Sequence, residues 1–373
     1  MKVASIVLNN FVHDNRVLKE GVSLICSGHE VHVVAIHEKE LQREEVVNGL
    51  HVTRVNLKSK GLPGFFIFQA MKYLEFMFRV ISRFHRFDVF HCHDLNALPI
   101  GALVKVFFNR KAKIIYDAHE YEIEKNGLSN FGKGVARLLE RHLIRFTDKV
   151  ITVSEGIANE YSRLYGVKPY LILNCPEPQE VGQTNYLREH FGIADSARIF
   201  IYQGGLISGR AVKETIEAFS EMSDDKVIVF VGYGYLAEYV QSAAGKNANI
   251  FYHDAVSYED LLQITASADV GLSLIDNICK SYLLSLPNKF FEYIAASIPV
   301  LASNLPEMAK IVDQHNIGML SEGNNVKEIV RSVSAISKTD LTVYKEGLAA
   351  AGKIYTWQNQ EVELRKLYES LND

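Results

Sequence analysis

The chain has 373 residues, 48% of them hydrophobic and 23% charged, with a formal net charge of −4. That length exceeds one ordinary core and suits two α/β domains, and the composition excludes long disordered tracts. The charge balance speaks against a nucleic-acid binder. Cys26, Cys92, Cys175 and Cys279 are scattered without a C-x-x-C pair, as expected in a reducing cytoplasm, and no uncharged apolar run reaches the length of a membrane span.

In chain order, apolar runs alternate with segments of helical period. Strands are expected at 3–8, 31–36, 51–56, 89–92, 113–117, 149–153 and 169–173. Helices are expected between them at 16–27, 65–86, 98–108, 134–146 and 155–165, with Gly28 placed to end the first and Ser154 to cap the last. The stretch 174–183 holds two prolines and little apolar content and is the expected linker. The pattern then restarts, with strands at 199–202, 226–231, 249–252, 270–274, 300–302 and 319–320. Helices there are expected at 212–221, 236–243, 258–267, 288–297, 308–313, 326–336 and 357–371. Strands joined by crossover helices mark doubly wound parallel sheets. Two in tandem place ligands at the carboxyl edges of their strands, in a cleft between the sheets.

The stretch Ser281–Ser303 is the most informative. Pro287 disfavours helix just before it, so a helix starts at Asn288 or Lys289 and buries Phe290, Phe291, Ile294 and Ala295. Its first turn offers free N–H groups and a partial positive charge to a phosphate; Lys289 adds a full charge, and Glu292 can accept from sugar hydroxyls. An ordinary amphipathic helix with a solvated Lys and Glu fits the same pattern. A second candidate is the loop Tyr202–Arg210, where Gly204, Gly205 and Gly209 allow close backbone approach and Arg210 suits a diphosphate. It is not a P-loop. A third, Gly232-Tyr-Gly234-Tyr-Leu-Ala237 with Asp254 beyond it, has the form of a dinucleotide fingerprint and keeps a dehydrogenase reading open.

In the first half, His119 and Glu120 follow a strand, where a histidine can bind a sugar hydroxyl or move a proton. His91 and His93 share one strand face, as a metal pair would, but no third ligand lies nearby in sequence and packing is the expectation. Two stretches carry basic residues among aromatic or apolar ones: 58–86, and the helix bearing Lys133, Arg137, Arg141, Arg145 and Lys149 at four-residue spacing. Both suit an anionic membrane surface, and equally a solvated basic face.

Taken together, these residues resemble family 4 glycosyltransferases of the GT-B fold over nearly the whole chain. The resemblance is carried by Asp14-Asn-Arg16-Val-Leu-Lys-Glu20, Tyr116-Asp-Ala-His119-Glu120, Val153-Ser-Glu155, Tyr202-Gln-Gly204 through Arg210, Val231-Gly-Tyr-Gly234, Leu286-Pro-Asn288-Lys289-Phe-Phe-Glu292-Tyr and Tyr355-Thr-Trp357. It implies a Rossmann-like acceptor domain over 1–173 and a Rossmann-like donor domain over 174–355, with the helix 356–373 crossing back onto the first. It implies that Arg210 and Lys289 hold the donor diphosphate, that Glu292 binds the ribose, that Gly204, Gly205, Gly232, Gly234, His253 and Asn288 line the donor, and that His119 lies beside the transferred sugar. Asp14, Arg16, His93, Asp94 and Glu120 fall on the acceptor side.

The implied reaction is a retaining transfer from a UDP- or GDP-sugar to a glycan or lipid-linked acceptor, in surface polysaccharide, lipopolysaccharide or capsule synthesis. No cofactor and no metal are implied, nor any nucleic acid, and the enzyme is expected in the cytoplasm or peripherally on the inner membrane face. Two positions depart from the family pattern: Leu284 stands where a first glutamate is usual, and Gly205 where an arginine is usual. A nucleotide-sugar epimerase of the same fold, or a non-catalytic glycan- or partner-binding protein, satisfies the same motifs.

Overall fold

The computed structural model describes residues 1–371 apart from Glu180 and Gln183; the side chains of Tyr258 and Glu259 are likewise outside the description. Part of the expected linker therefore lies outside the described residues. Two compact units divide the chain, Met1–Ile172 with Glu361–Asp373, and Leu173–Gln360.

The first unit runs β1 (Lys2–Ile6), α1 (Asn15–Cys26), β2 (Glu30–Ile36), β3 (Glu44–Val47), β4 (Leu50–Val55), α2 (Phe66–Phe84), β5 (Val89–His93) and α3 (Asp94–Leu103). A π turn at Val104–Phe108 follows, then β6 (Lys113–Ala118), α4 (Asn130–Leu143), β7 (Lys149–Thr152), α5 (Glu155–Tyr165) and β8 (Tyr170–Leu171). The sheet order is β3-β4-β2-β1-β5-β6-β7-β8, and only the β3–β4 pair is antiparallel. That hairpin was not expected, although its turn, Asn48-Gly49, adopts positive φ at both residues (49° and 86°), the geometry such a dipeptide favours.

The second unit runs α6 (Tyr186–Phe191), β9 (Arg198–Gln203), α7 (Val212–Ser220), β10 (Lys226–Val231), α8 (Ala237–Ala244), β11 (Ile250–His253), α9 (Tyr258–Thr265) and β12 (Val270–Ser273). It continues through α10 (Lys280–Leu283), α11 (Asn288–Ala295), β13 (Val300–Ser303), α12 (Pro306–His315), β14 (Gly318–Ser321), α13 (Val326–Ser337) and α14 (Lys345–Ile354). The last helix, α15 (Trp357–Glu369), spans the division between the units. This sheet is wholly parallel, in the order β11-β10-β9-β12-β13-β14. Both sheets thus carry the 3-2-1-4-5-6 winding, whose direction reverses between β1 and β5 in one and between β9 and β12 in the other.

Helices α6, α10 and α14 go beyond the sequence expectation, and α3 begins four residues early. The reason for the last is tertiary. Asp94 adopts φ 63°, and the Leu95 N–H of the first turn bonds a Glu122 oxygen at 3.0 Å, a cap delivered from 27 residues away. In the second unit, α11 is seated on the sheet by Tyr293. Its hydroxyl lies 3.1 Å from the Leu272 carbonyl and 3.2 Å from that of Ile201, and accepts from the Gln203 N–H at 3.3 Å. Gly271 makes room, since a Cβ there would lie 2.3 Å from the Tyr293 ring. Gly271→Ala is therefore expected to cost about 1–3 kcal/mol through overpacking. Thermal unfolding would read this as a melting point several degrees lower, and an unchanged melting point would contradict this seating of α11.

Candidate functional site

The second unit gathers its polar residues at the β9–β12 switch point. β9 ends at Gln203, and the loop beyond it passes through Gly204, whose φ of 101° a side chain would resist. The loop after β10 lies against this one. Gly204 N–H bonds the Val231 carbonyl at 2.9 Å, and Leu206 N–H bonds the Tyr233 carbonyl at 2.8 Å. Cβ atoms on Gly232 and Gly234 would collide with the carbonyl oxygens of Gly204 and Leu206, at 2.0 and 2.4 Å. The dinucleotide-like G-x-G is thus required by the contact between two loops, which removes the reason for reading it as a cofactor fingerprint. Space beside Gly204 and Gly205 stays open.

Pro287 stands at the N-cap of α11, without a side-chain cap for the first turn. Lys289 occupies that turn and is 6% exposed. Its Nζ lies 3.4 Å from the centre of the Tyr202 ring and has no hydrogen-bond partner. Burial, and then the neighbouring Arg210 guanidinium, hold the Lys289 ammonium well below the usual lysine range, with Glu292 opposing them. Arg210 lies over the Tyr282 ring at 5.1 Å. Glu292, also buried, accepts a short hydrogen bond from Gln203 Nε2, and the other end of that amide accepts from Thr265 Oγ1 at 2.7 Å. Two cations and one oriented carboxylate therefore converge on the glycine loop. Asn288 accepts from Asn174 Nδ2 at 2.8 Å. His253 accepts from the Gly232 N–H through its carbonyl at 3.2 Å, and its ring joins Tyr186 and His190, with Nε2 2.9 Å from the Tyr186 hydroxyl.

In the first unit, a polar cavity of about 170 Å³ opens at the β1–β5 switch point, lined by Val7, Leu8, Asn9, Asp14, His93, Asp94, Asn96 and His119. Asp14 caps α1 through Val17 N–H at 3.3 Å, and Asp94 accepts from His119 N–H at 3.2 Å. Beneath the cavity lies a buried charge network. The Arg16 guanidinium donates to Asp117 at 3.0 and 3.1 Å and to the Ile172 carbonyl at 3.0 Å, and lies 3.0 Å from Glu20. Asp117 also lies 3.2 Å from His119 Nε2, and His93 Nδ1 is 3.1 Å from the same nitrogen. His93 completes its pairing with Ser5 Oγ at 2.8 Å. Burial opposes charge on His119, but Asp117 and then Asp94 outweigh it and raise the imidazolium to about 9. Burial, with Asp117 next, pushes the Glu20 carboxyl up to about 8, while His91 is pushed down to about 4, chiefly by burial.

Of the acceptor-side residues, Asp14, His93 and Asp94 join His119 around the polar cavity. Arg16 lies buried below it, and Glu120 pairs with Lys125 at 3.3 Å instead of lining it. Residues that lie within the quoted motifs but to which the sequence assigned no role are Gln203, which holds Glu292, Tyr202 under Lys289, and Asp117 and Glu20. The last two meet His91 and His93, so that all four offer donor atoms within 4.8 Å of one another. Arg16 already lies against both carboxylates, and a divalent ion there would meet that guanidinium at close range.

Linkage gives this network a direction. Glu20 binds its proton more tightly folded than unfolded, so stability falls between about pH 4.5 and 8. His119 contributes stability fully present below its unfolded pKa near 6.5 and lost as pH rises through about 9. Together these two groups are therefore expected to lower stability from pH 6 to 9.5, against the opposite contribution of Lys289, whose depressed pKa makes stability rise with pH toward 10.5. Glu20→Gln, which mimics the protonated acid, should flatten the lower half of that decline, and urea denaturation across this range measures it. Identical slopes in both proteins would contradict the assignment.

Comparison with known proteins bears on the family and the fold. Residues 22–176 match the Glycosyltransferase Family 4 model, and residues 197–339 the Glycosyl transferases group 1 model. The chain is 24% identical to an uncharacterized glycosyltransferase of Methanocaldococcus jannaschii, over 86% of this chain and 83% of that one. It is 23% identical to the chitobiosyldiphosphodolichol beta-mannosyltransferase of Debaryomyces hansenii, over 86% of this chain and 76% of that one. Among solved structures, sucrose-phosphate synthase from Thermosynechococcus elongatus superposes with a TM-score of 0.81 at 14% identity, covering 100% of this chain and 99% of that one. Anabaena HepE in complex with UDP-glucose superposes with a TM-score of 0.78 at 14% identity, covering 99% and 100%. With two tandem family matches spanning most of the sequence and two 3-2-1-4-5-6 sheets beneath them, the chain belongs to glycosyltransferase family 4 and has the GT-B fold.

Proposed function

We propose that this glycosyltransferase takes a sugar from a UDP- or GDP-sugar held on its second unit and passes it, with retention and without a metal, to a glycan or lipid-linked acceptor received by the first. The observation that carries the reading is Lys289, a buried amine with no hydrogen-bond partner beside a second cation. Such an arrangement is costly until an anion arrives. A donor diphosphate supplies it. Lys289 and Arg210 then stabilise the charge that develops on the diphosphate as the bond from the anomeric carbon to its oxygen breaks. Glu292, oriented by Gln203, accepts from the ribose hydroxyls, and Gly204, Gly205 and Asn288 give the donor backbone and edge contacts.

The departing phosphate oxygen takes the proton of the attacking acceptor hydroxyl, so no enzymic nucleophile is required. His119, held charged by Asp117 and Asp94, donates to a sugar hydroxyl, while Asp14 and Asp94 accept from others. The UDP-glucose complex of Anabaena HepE and the mannosyltransferase name of the Debaryomyces relative both support a nucleotide-sugar donor. A role in surface polysaccharide, lipopolysaccharide or capsule synthesis accords with a lipid-linked acceptor.

UDP binding is the direct test. Lys289→Ala and Arg210→Ala should each weaken it about 30-fold or more by calorimetry, equivalent to about 2 kcal/mol or more. Chelation with EDTA should leave the wild type unchanged. Loss of binding in EDTA would refute metal independence, and full binding by both variants would refute the donor site.

No helix among the described residues is long and apolar enough to cross a membrane. The first unit nevertheless exposes Phe65, Phe66, Ile67 and Phe78 along α2, and Phe131, Val135 and Leu138 beside Arg137 and Arg141 on α4. We read this as a peripheral contact with anionic lipid on the cytoplasmic side. Reversing charge at Arg137, Arg141 and Arg145 together should reduce sedimentation with phosphatidylserine vesicles severalfold, and unchanged sedimentation would leave only a solvated face.

A further inference from the structure

Asn96 lines two cavities of the first unit. One is the polar cavity at the switch point, with Asp14, Asp94 and His119. The other is larger, about 640 Å³, and walled by apolar side chains of α2, α3, the π turn and α4, among them Met77, Ala102, Leu103, Phe107 and Leu139. Tyr73, the polar side chain it shares with Asn96, donates its hydroxyl to the Asn96 carbonyl at 2.8 Å, so the polar group at the junction is already satisfied. Most of these walls are exposed or half-exposed, so the space is an open apolar groove, of a size that small-molecule sites commonly have.

We propose that the apolar cavity takes the hydrocarbon tail of a single-chain glycolipid acceptor, whose sugar head lies in the adjoining polar cavity. The inference rests on the transferase reading and narrows its acceptor from a glycan or a lipid to an amphiphile. Three features select this occupant. Asn96 borders both cavities and is itself exposed, so a molecule lying across it reaches both. The polar side offers two carboxylates and an imidazolium, which suit sugar hydroxyls, while the other side offers apolar walls, which suit methylenes. Exposed Arg141 and Arg145 flank the lining residues Leu139, Leu143 and Phe146, so a chain leaving an anionic bilayer meets a basic margin.

The test needs no donor. Butyl and octyl glucoside, each below its micellar concentration, are titrated into the full chain. Octyl glucoside is expected to bind at least tenfold more tightly, full burial giving about fourfold per methylene. Ala102→Phe fills the cavity and should abolish most of that difference while leaving UDP affinity unchanged. Leu139→Trp, at an exposed lining position, should do the same and keeps the result readable if Ala102→Phe fails to fold. Equal affinity for the two glucosides, or a chain-length effect that survives in the folded variants, would overturn the proposal. Failure of the transferase reading would look different, as UDP binding indifferent to Lys289 and Arg210 with the preference for octyl glucoside intact.

Discussion

The contact between Arg16 and Asp117 organises the first unit. It joins α1 to β6, and through the Ile172 carbonyl it also fixes the segment that follows β8. A buried ion pair of this kind adds little net stability, but removing one partner strands the other and costs about 3–5 kcal/mol. Here the group left behind would be Asp117, which would keep its contacts with His91, His93 and His119. Asp117 thus serves both the packing of a helix on a sheet and the protonation of a histidine at the polar cavity, a charge that the Arg16 guanidinium opposes. The strained backbone of Asp94, at φ 63°, belongs to the same arrangement, since its carboxylate takes the His119 N–H.

The second unit handles charge in the opposite manner. The first balances its cations against carboxylates before any ligand arrives. At the glycine loop of the second, Lys289 has an aromatic face beneath it and a like charge beside it, and its one carboxylate neighbour, Glu292, is engaged by Gln203. That imbalance is tolerable because burial shifts the ammonium toward its neutral form. A bound anion would favour the charged ammonium, so anion affinity and lysine protonation are linked.

The two sheets and their switch points were legible in the sequence because each depends on local alternation: apolar runs for strands, helical period between them, glycine after β9. Lys289, Glu292 and Arg210 were legible for the same reason, all lying near the start of a helix that follows a strand. What escaped depends on distance along the chain. Glu20 and Asp117 are 97 positions apart and meet only through α1 packing on the sheet. Glu122 caps α3 from outside it, and Gln203 reaches Glu292 across 89 positions. The β3–β4 hairpin is the exception, since Asn48-Gly49 announces it locally. Gly232 and Gly234 show the reverse hazard: glycines with the form of a dinucleotide fingerprint are accounted for by two loops in contact.

The membership of α15 bears on how the chain acquires its structure during synthesis. Residues Glu361–Asp373 belong to the first unit, where the Tyr368 hydroxyl lies 3.0 Å from His91 Nδ1, and Ser370 Oγ lies 3.3 Å from the Tyr170 hydroxyl. The ribosome reaches those residues only after making the whole of Leu173–Gln360, which takes on the order of 10–40 s at usual elongation rates. Through that interval β5 lacks the Tyr368 hydroxyl beside His91, and the nascent first unit is an unfinished body. Its completion waits on the synthesis of the second unit, which can be wound before the first is closed.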